Sequence, residues 1–189
     1  QPPSTRLWAF FSPLSNPSLR LPVAAGRRAP SMSYTTRMEQ PKSYTYSWPR
    51  PNVTVDAVVF RPGPEKRLEI LLIRRDRAPF AGCWALPGGF VEEHEPLDAA
   101  AARELAEETG LKGVALCQLR AFGDPGRDPR GHTISIAYTG DAPPDARALG
   151  GDDAREAAWF PLDALPALAF DHVKIVEYAL ACRSEEPRI

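Results

Sequence analysis

From Asn52 onward the chain alternates short runs of apolar, often β-branched residues with clusters of glycine, proline and charge. "VTVDAVVF" (53–60) and "LEILLIRR" (68–75) read as strands, because such side chains suit a pleated, buried surface. Between them "RPGPEKR" (61–67) holds two prolines and a glycine, which predicts a turn and makes the two strands a hairpin. "APFAGCWALPGG" (78–89) reads as a loop with a short strand around Trp84. "GVALCQLRAF" (113–122) and "HTISIAYTG" (132–140) predict two more strands, joined by the charged loop "GDPGRDPRG" (123–131). "AAWFP" (157–161) predicts a short strand. Residues 96–109 and 171–183 predict helices; in the second, Val173, Val176 and Leu180 stand at i, i+3 and i+7. Strands alternating with only two helices predict a mixed α/β domain, not a doubly wound sheet. No internal repeat is visible.

Composition divides the chain in two. Residues 1–38 hold five arginines (Arg6, Arg20, Arg27, Arg28 and Arg37) and no acidic residue, and are rich in Ser and Pro. That is the composition of an organelle transit peptide, which points to a plastid or mitochondrion. A disordered extension, or sequence upstream of a start at Met32 or Met38, is the competing expectation. The opening Gln1 also fits a chain incomplete at its start. We therefore divide the chain into an N-terminal extension, 1–45, and a domain, 46–185. Net charge is −1 over 189 residues, so nothing global draws the chain to nucleic acid or anionic lipid. No apolar run approaches the ~20 residues of a membrane helix. Cys83, Cys117 and Cys182 are odd in number and far apart, which speaks against a disulfide framework or a cysteine zinc site.

The candidate chemistry lies in "ALPGGFVEEHEPLDAAAARELAEETGL" (85–111). Pro96 suits a first helical position and Gly110 the position just past the end. At about 100° per residue, Ala99, Ala101, Ala102, Leu105 and Ala106 form a small apolar face. Glu104, Glu107 and Glu108 fall within an arc of about 100° on the opposite side. Like charges at i, i+3 and i+4 repel by a few tenths of a kcal/mol per pair. Arg103, four before Glu107, is the only obvious basic partner. A hard divalent cation such as Mg²⁺ would compensate the cluster, since it takes carboxylate oxygens and keeps positions for water and phosphate. Three glutamates alone are more often a solvated helix face.

The surrounding spacing changes that balance. Gly89, five residues, Glu95, seven residues, then Arg103-Glu104-Leu105-Ala106-Glu107-Glu108-Thr109-Gly110-Leu111 matches every constrained position of the Nudix box, and the chain resembles the Nudix hydrolase superfamily. The resemblance implies an α/β/α sandwich with a mixed central sheet, and Mg²⁺- or Mn²⁺-dependent cleavage of a nucleoside diphosphate linked to another moiety. It implies that Glu107 and Glu108 ligate metal, that the Gly89 carbonyl joins them, and that Glu104 is ligand or general base. Arg103 would orient a neighbouring glutamate, and Glu95 would support the site from outside. A base beyond the box would come from Asp152, Asp153 or Glu156.

"RRDRAPFAGCWALPGGFVE", "FGDPGRDPRGHTISIAY" and "LPALAFDHVKIVEYAL" look like a branch associated with ADP-ribose. Pro125, fourteen past Leu111, is close to a proline that some members of that branch carry. In the loop 123–131, Arg127 and Arg130 would hold phosphate and Asp124 and Asp128 would accept ribose hydroxyls. A self-paired hairpin loop explains the same charges. Phe80 and Trp84 are candidates to stack on adenine, though an aromatic beside a buried strand is more often core. The partner implied is a small nucleotide, without nucleic acid or membrane; a homodimer is compatible with the sequence. A ligand-sensing regulator and a catalytically silent Nudix-fold subunit are the alternatives from other classes.

Overall fold

A computed structural model describes residues 44–150 and 154–185. The expected N-terminal extension lies almost wholly outside the described residues, as do Asp152 and Asp153. Among the described residues seven strands form one sheet: β1 (Asn52–Pro62), β2 (Leu68–Arg75), β3 (Trp84–Ala85), β4 (Gly88–Phe90), β5 (Cys117–Phe122), β6 (Thr133–Asp141) and β7 (Ala154–Pro161). Two α-helices complete it, α1 (Leu97–Thr109) and α2 (His172–Glu185). The expected 61–67 turn contains a short 3-10 segment, Pro64–Lys66.

β1 is the axis of the sheet. It runs parallel to β6 along its length, from Asn52↔Thr133 to Phe60↔Asp141. Its C-terminal end forms the expected hairpin with β2 (Phe60↔Ile70), and its N-terminal half pairs antiparallel with β4 (Asp56↔Gly88). β2 carries β3 on one segment and β7 along most of its length.

Side chains alternate across a strand, so β1 and β2 feed two cores. Val58, Phe60, Ile70 and Leu72 meet Ile175, Val176 and Ala179 of α2. Ala57, Val59 and Leu71 meet Leu105 of α1, and Val55 meets Ala100 and Ala101. Both faces of the sheet are covered, which is the expected α/β/α sandwich with a mixed sheet.

Two helical patterns differ from expectation. In α2 the buried stripe is His172, Ile175, Val176 and Ala179, whereas Val173 is exposed. In α1 the buried residues are Ala100, Ala101, Leu105 and Thr109, while Ala99 and Ala102 face solvent. The helix is therefore rotated so that Glu104 and Glu108 lie beside Ala101 and Leu105 on the inward side. Only Glu107 of the three is exposed. Pro96 stands one position earlier than expected, as the extended residue before the first turn. Gly110 ends the helix in the left-handed region (φ 72°), where a residue without Cβ is least strained.

Candidate active site

The rotation of α1 is made possible by Gly88 and Gly89. A Cβ at Gly89 would collide with the carboxylate of Glu104, and one at Gly88 would collide with the Val55 carbonyl across the β1–β4 pair. With no side chains there, the backbone approaches the helix, and the Gly88 N–H donates to Glu108 Oε2 at 2.9 Å. Among the described residues Glu108 has no ion-pair partner. Burial, above all, pushes its carboxyl up to about 8, helped by repulsion from Glu104 and Asp56. Burial likewise raises Glu104, against the pull of Arg103.

Arg103 gathers the other carboxylates. Its Nε and Nη2 fork donates to Glu95 at 2.7 and 2.9 Å, and Nη1 donates to Glu104 at 2.8 Å and Glu107 at 3.0 Å. Nη2 also reaches the Phe90 carbonyl at 3.1 Å. Glu95 accepts the Glu92 N–H as well, and Arg103's hydrogen bonds hold its carboxyl down at about 2. Glu95 thus anchors the arginine, and the arginine spaces the glutamates. Among the described residues no three acidic, cysteine or histidine side chains already stand as a metal cage. The geometry gives the reason: Arg103 draws Glu104 and Glu107 aside while Glu108 faces Gly88. The donor set nonetheless suits a hard cation, because all its atoms are carboxylate or carbonyl oxygens and Glu108 has no ion-pair partner among the described residues.

These groups open onto a cavity of about 870 Å³. Arg75 and Arg130 line the same cavity as the glutamates. Burial, followed by repulsion from Arg130, lowers the proton affinity of Arg75. Both guanidiniums lie near the Phe170 ring, at 4.8 and 5.6 Å from its centroid, and Arg130 also lies 5.0 Å from that of Phe90. The floor is polar and buried. Asp56 accepts a short hydrogen bond from Ser135 and lies 3.5 Å from His172 Nε2 and 3.9 Å from Arg127. Arg127 itself is forked onto Asp171 at 2.7 and 3.2 Å. His172 is buried, which pushes its proton affinity down, and its Nδ1 accepts the Leu86 N–H at 2.9 Å.

The loop 123–131 divides on inspection. Arg127, Asp128 and Arg130 line the cavity, but Asp124 does not. Asp124 is exposed and pairs with Lys174 at 3.4 Å, so the expectation that it meets a ribose is corrected. Arg127 is buried in structural pairing, and Asp128 is forked by Arg130. Burial opposes the charge on Asp128, but those bonds outweigh it and hold the carboxyl below its usual range. Of the free-standing base candidates, Glu156 lies on β7, exposed, 3.8 Å from Arg74, and outside the cavity lining. Trp84 packs edge-on against Phe160 in the core, and Phe80 lies against Phe170; neither lines the cavity. The aromatic rings that do are Phe90 and Phe170.

Asp56, Arg75, Phe170 and His172 were not singled out by the motif. Asp56 did leave a signal, as the one charge within the largely apolar run 53–60, on the same face as Val58 and Phe60. His172 left none, because a histidine at a helix start has many uses.

Known proteins resemble the chain over this domain. The NUDIX domain model matches residues 50–179. An ADP-ribose pyrophosphatase of Methanocaldococcus jannaschii is 48% identical over 127 residues, covering 67% of this chain and 72% of that protein. An ADPR responsive transcriptional repressor, NtrR, of Acinetobacter baylyi is 36% identical over 145 residues; the match covers 75% of this chain but only 58% of the repressor. Among solved structures, the NUDIX domain of Shewanella oneidensis NrtR complexed with ADP ribose superposes with a TM-score of 0.66 at 34% identity, covering 72% of this chain and 90% of that one.

Proposed function

The chain belongs to the NUDIX domain family, and from that premise we propose that it hydrolyses ADP-ribose to AMP and ribose 5-phosphate with a divalent cation. The observation that carries the reading is the inward turn of Glu104 and Glu108 over Gly88 and Gly89, in one cavity with Arg75 and Arg130. Carboxylates and guanidiniums line this one cavity, which suits a bound diphosphate held by the arginines and the cations that neutralise it held by the glutamates. Glu104, Glu107, Glu108 and the Gly89 carbonyl would hold the cation, which when bound neutralises phosphate charge and activates water. We propose Mg²⁺, with Mn²⁺ as the competing ion.

The chain's own groups do the rest. Arg103 holds Glu104 and Glu107 on one guanidinium nitrogen and is itself fixed by Glu95. Glu104, with its raised proton affinity, is placed to share in holding the cation or to take a proton from the attacking water. Arg75 and Arg130 grip phosphate oxygens. Phe90 and Phe170 offer ring faces at the cavity wall. Water attacks one phosphorus of the diphosphate, the bridging P–O bond breaks, and the products are two monophosphates.

The relatives that act on or bind ADP-ribose support the substrate. A different nucleotide, such as NADH, a dinucleoside polyphosphate or oxidised dGTP, is the second reading. A substrate panel with Mg²⁺ and Mn²⁺ decides between them. ADP-ribose should give the highest kcat/KM; a higher value for any of the others refutes the ADP-ribose reading and leaves the family activity standing. We propose a small nucleotide as the working partner, not nucleic acid. An organelle address is proposed on the composition of residues 1–38 alone; a fluorescent fusion of those residues that stays cytosolic would refute it.

A further inference from the structure

We propose that His172 is a positioning residue for the carboxylate site: its Nδ1 fixes the backbone turn whose Gly88 N–H holds Glu108. The inference rests on the carboxylate site of the proposed function but not on the identity of the substrate.

The segment before α2 runs beside the segment before Gly88. Leu168 forms a parallel bridge with Trp84, and the Ala169 N–H donates to the Trp84 carbonyl at 2.7 Å. A continuing strand would offer its next carbonyl to Leu86. The chain instead turns away at Phe170, a non-glycine residue at φ 52°, and enters α2. The imidazole of His172 takes the place of that missing carbonyl, accepting the Leu86 N–H at 2.9 Å. Buried donors need acceptors, so Leu86, 1% exposed, would otherwise carry an unmet N–H in the core.

Leu86 and Gly88 are two residues apart on one short stretch around Pro87. One N–H is held by His172 and the other by Glu108. The opposite side of the same stretch is held by β1, where the Ala57 N–H donates to the Pro87 carbonyl at 2.8 Å and Asp56 pairs with Gly88. The turn is thus clamped from α2, α1 and β1 together. His172 is in turn held by stacking on Phe170, with ring centroids 5.3 Å apart, and its Nε2 is left facing Asp56. An imidazole accepting at Nδ1 must be neutral and carry its proton on Nε2. This fixes both the tautomer and which edge of the ring faces the cavity floor.

The test uses the full chain with two substitutions. His172→Phe keeps the ring and its stacking but removes both nitrogens. His172→Asn places an amide oxygen near the Nδ1 position and lacks Nε2. In the metal-free protein, His172→Phe should speed amide hydrogen exchange at Leu86 and Gly88 at least tenfold relative to the centre of β1, and His172→Asn should restore most of that protection. With Mg²⁺, His172→Phe should lower kcat about tenfold or more and raise the Mg²⁺ concentration for half-activation, with little change in KM. His172→Asn should recover both. Unchanged exchange at Gly88 in His172→Phe, or equal losses in both variants, overturns the proposal. Should His172→Phe fail to fold, ¹⁵N shifts of the wild-type imidazole decide: a protonated Nδ1 overturns it, and a bare Nδ1 with protonated Nε2 supports it. The exchange and shift readings need no substrate, so they stand even if the ADP-ribose reading fails.

Discussion

Replacing Glu108 with Gln separates the work this residue does from the cost of having it. In the metal-free protein its carboxyl is pushed from its ordinary 4.5 up to about 8, chiefly by burial. Folding therefore favours the protonated form. The stability this confers is fully present below pH 4.5 and is lost as pH rises through about 8. Each pH unit is worth about 1.4 kcal/mol, so the full interval corresponds to about 5 kcal/mol. The carboxylate opens onto a solvent-filled cavity, which screens the charge and reduces the expected effect to on the order of 2 kcal/mol. Gln keeps an oxygen for the Gly88 N–H but has no proton to lose. In EDTA, urea unfolding of Glu108→Gln should match wild type near pH 5 and exceed it by about 2 kcal/mol at pH 8. Added Mg²⁺ should stabilise wild type at pH 8 and leave the variant nearly unmoved. Loss of one cation ligand costs several kcal/mol of transition-state stabilisation, so turnover should fall at least about 100-fold. A variant that keeps near wild-type rate at saturating Mg²⁺ refutes the ligand role, and one with no stability gain at pH 8 refutes the burial argument.

Other substitutions test the remaining parts. Arg130→Ala should raise KM for ADP-ribose more than it lowers kcat, because Arg130 lines the cavity and its loss removes ground-state binding; an unchanged KM would take it out of the site. Arg127→Ala should behave differently, since it strands Asp171 and Asp56 and should cost about 3–5 kcal/mol by chemical denaturation; a Tm equal to wild type would contradict the pairing. Gly89→Ala should fold but lose activity, because the Cβ displaces the flexible end of Glu104, and a fully active variant would mean that Glu104 is free to move without consequence. Removing residues 1–38 should leave folding and kcat/KM intact while changing location, and an aggregated or inactive product would show that the extension completes the domain.

The strands other than β4, the two helices and the hairpin were legible because each carries its own period or its own breaker, whereas the two glycines of β4 carry neither. The box was legible because its spacing is long and fixed. What the sequence misplaced was the angle of α1. A wheel counts apolar side chains, and it set the glutamates opposite the alanines. The fold sets the helix by what it faces, and it faces two glycines that leave room for carboxylates. The same limit explains the loop 123–131, where Arg127 and Asp171 are forty-four residues apart in sequence and their fork at 2.7 and 3.2 Å exists only once α2 has docked. Asp124 and Asp128 looked alike in sequence, yet one is exposed and the other buried. Asp56 was visible as an oddity within its strand, but its partners Ser135, Arg127 and His172 come from three distant segments.

The parallel union of β1 with β6 also sets a schedule for synthesis. Asn52 meets Thr133 some eighty residues later in the chain. The box glutamates leave the ribosome well before β6 does, and the axis strand must wait beside them with one edge unpaired. The β1–β2 hairpin can form early, but the cavity floor needs Ser135, and its far wall needs His172. A ribosome stalled before residue 141 would therefore present the whole motif while Phe170 and His172 of the pocket are still to be made. Contacts this distant in sequence slow folding, and the exposed edge of β1 in that interval is where a nascent chain of this protein is most open to wrong pairing.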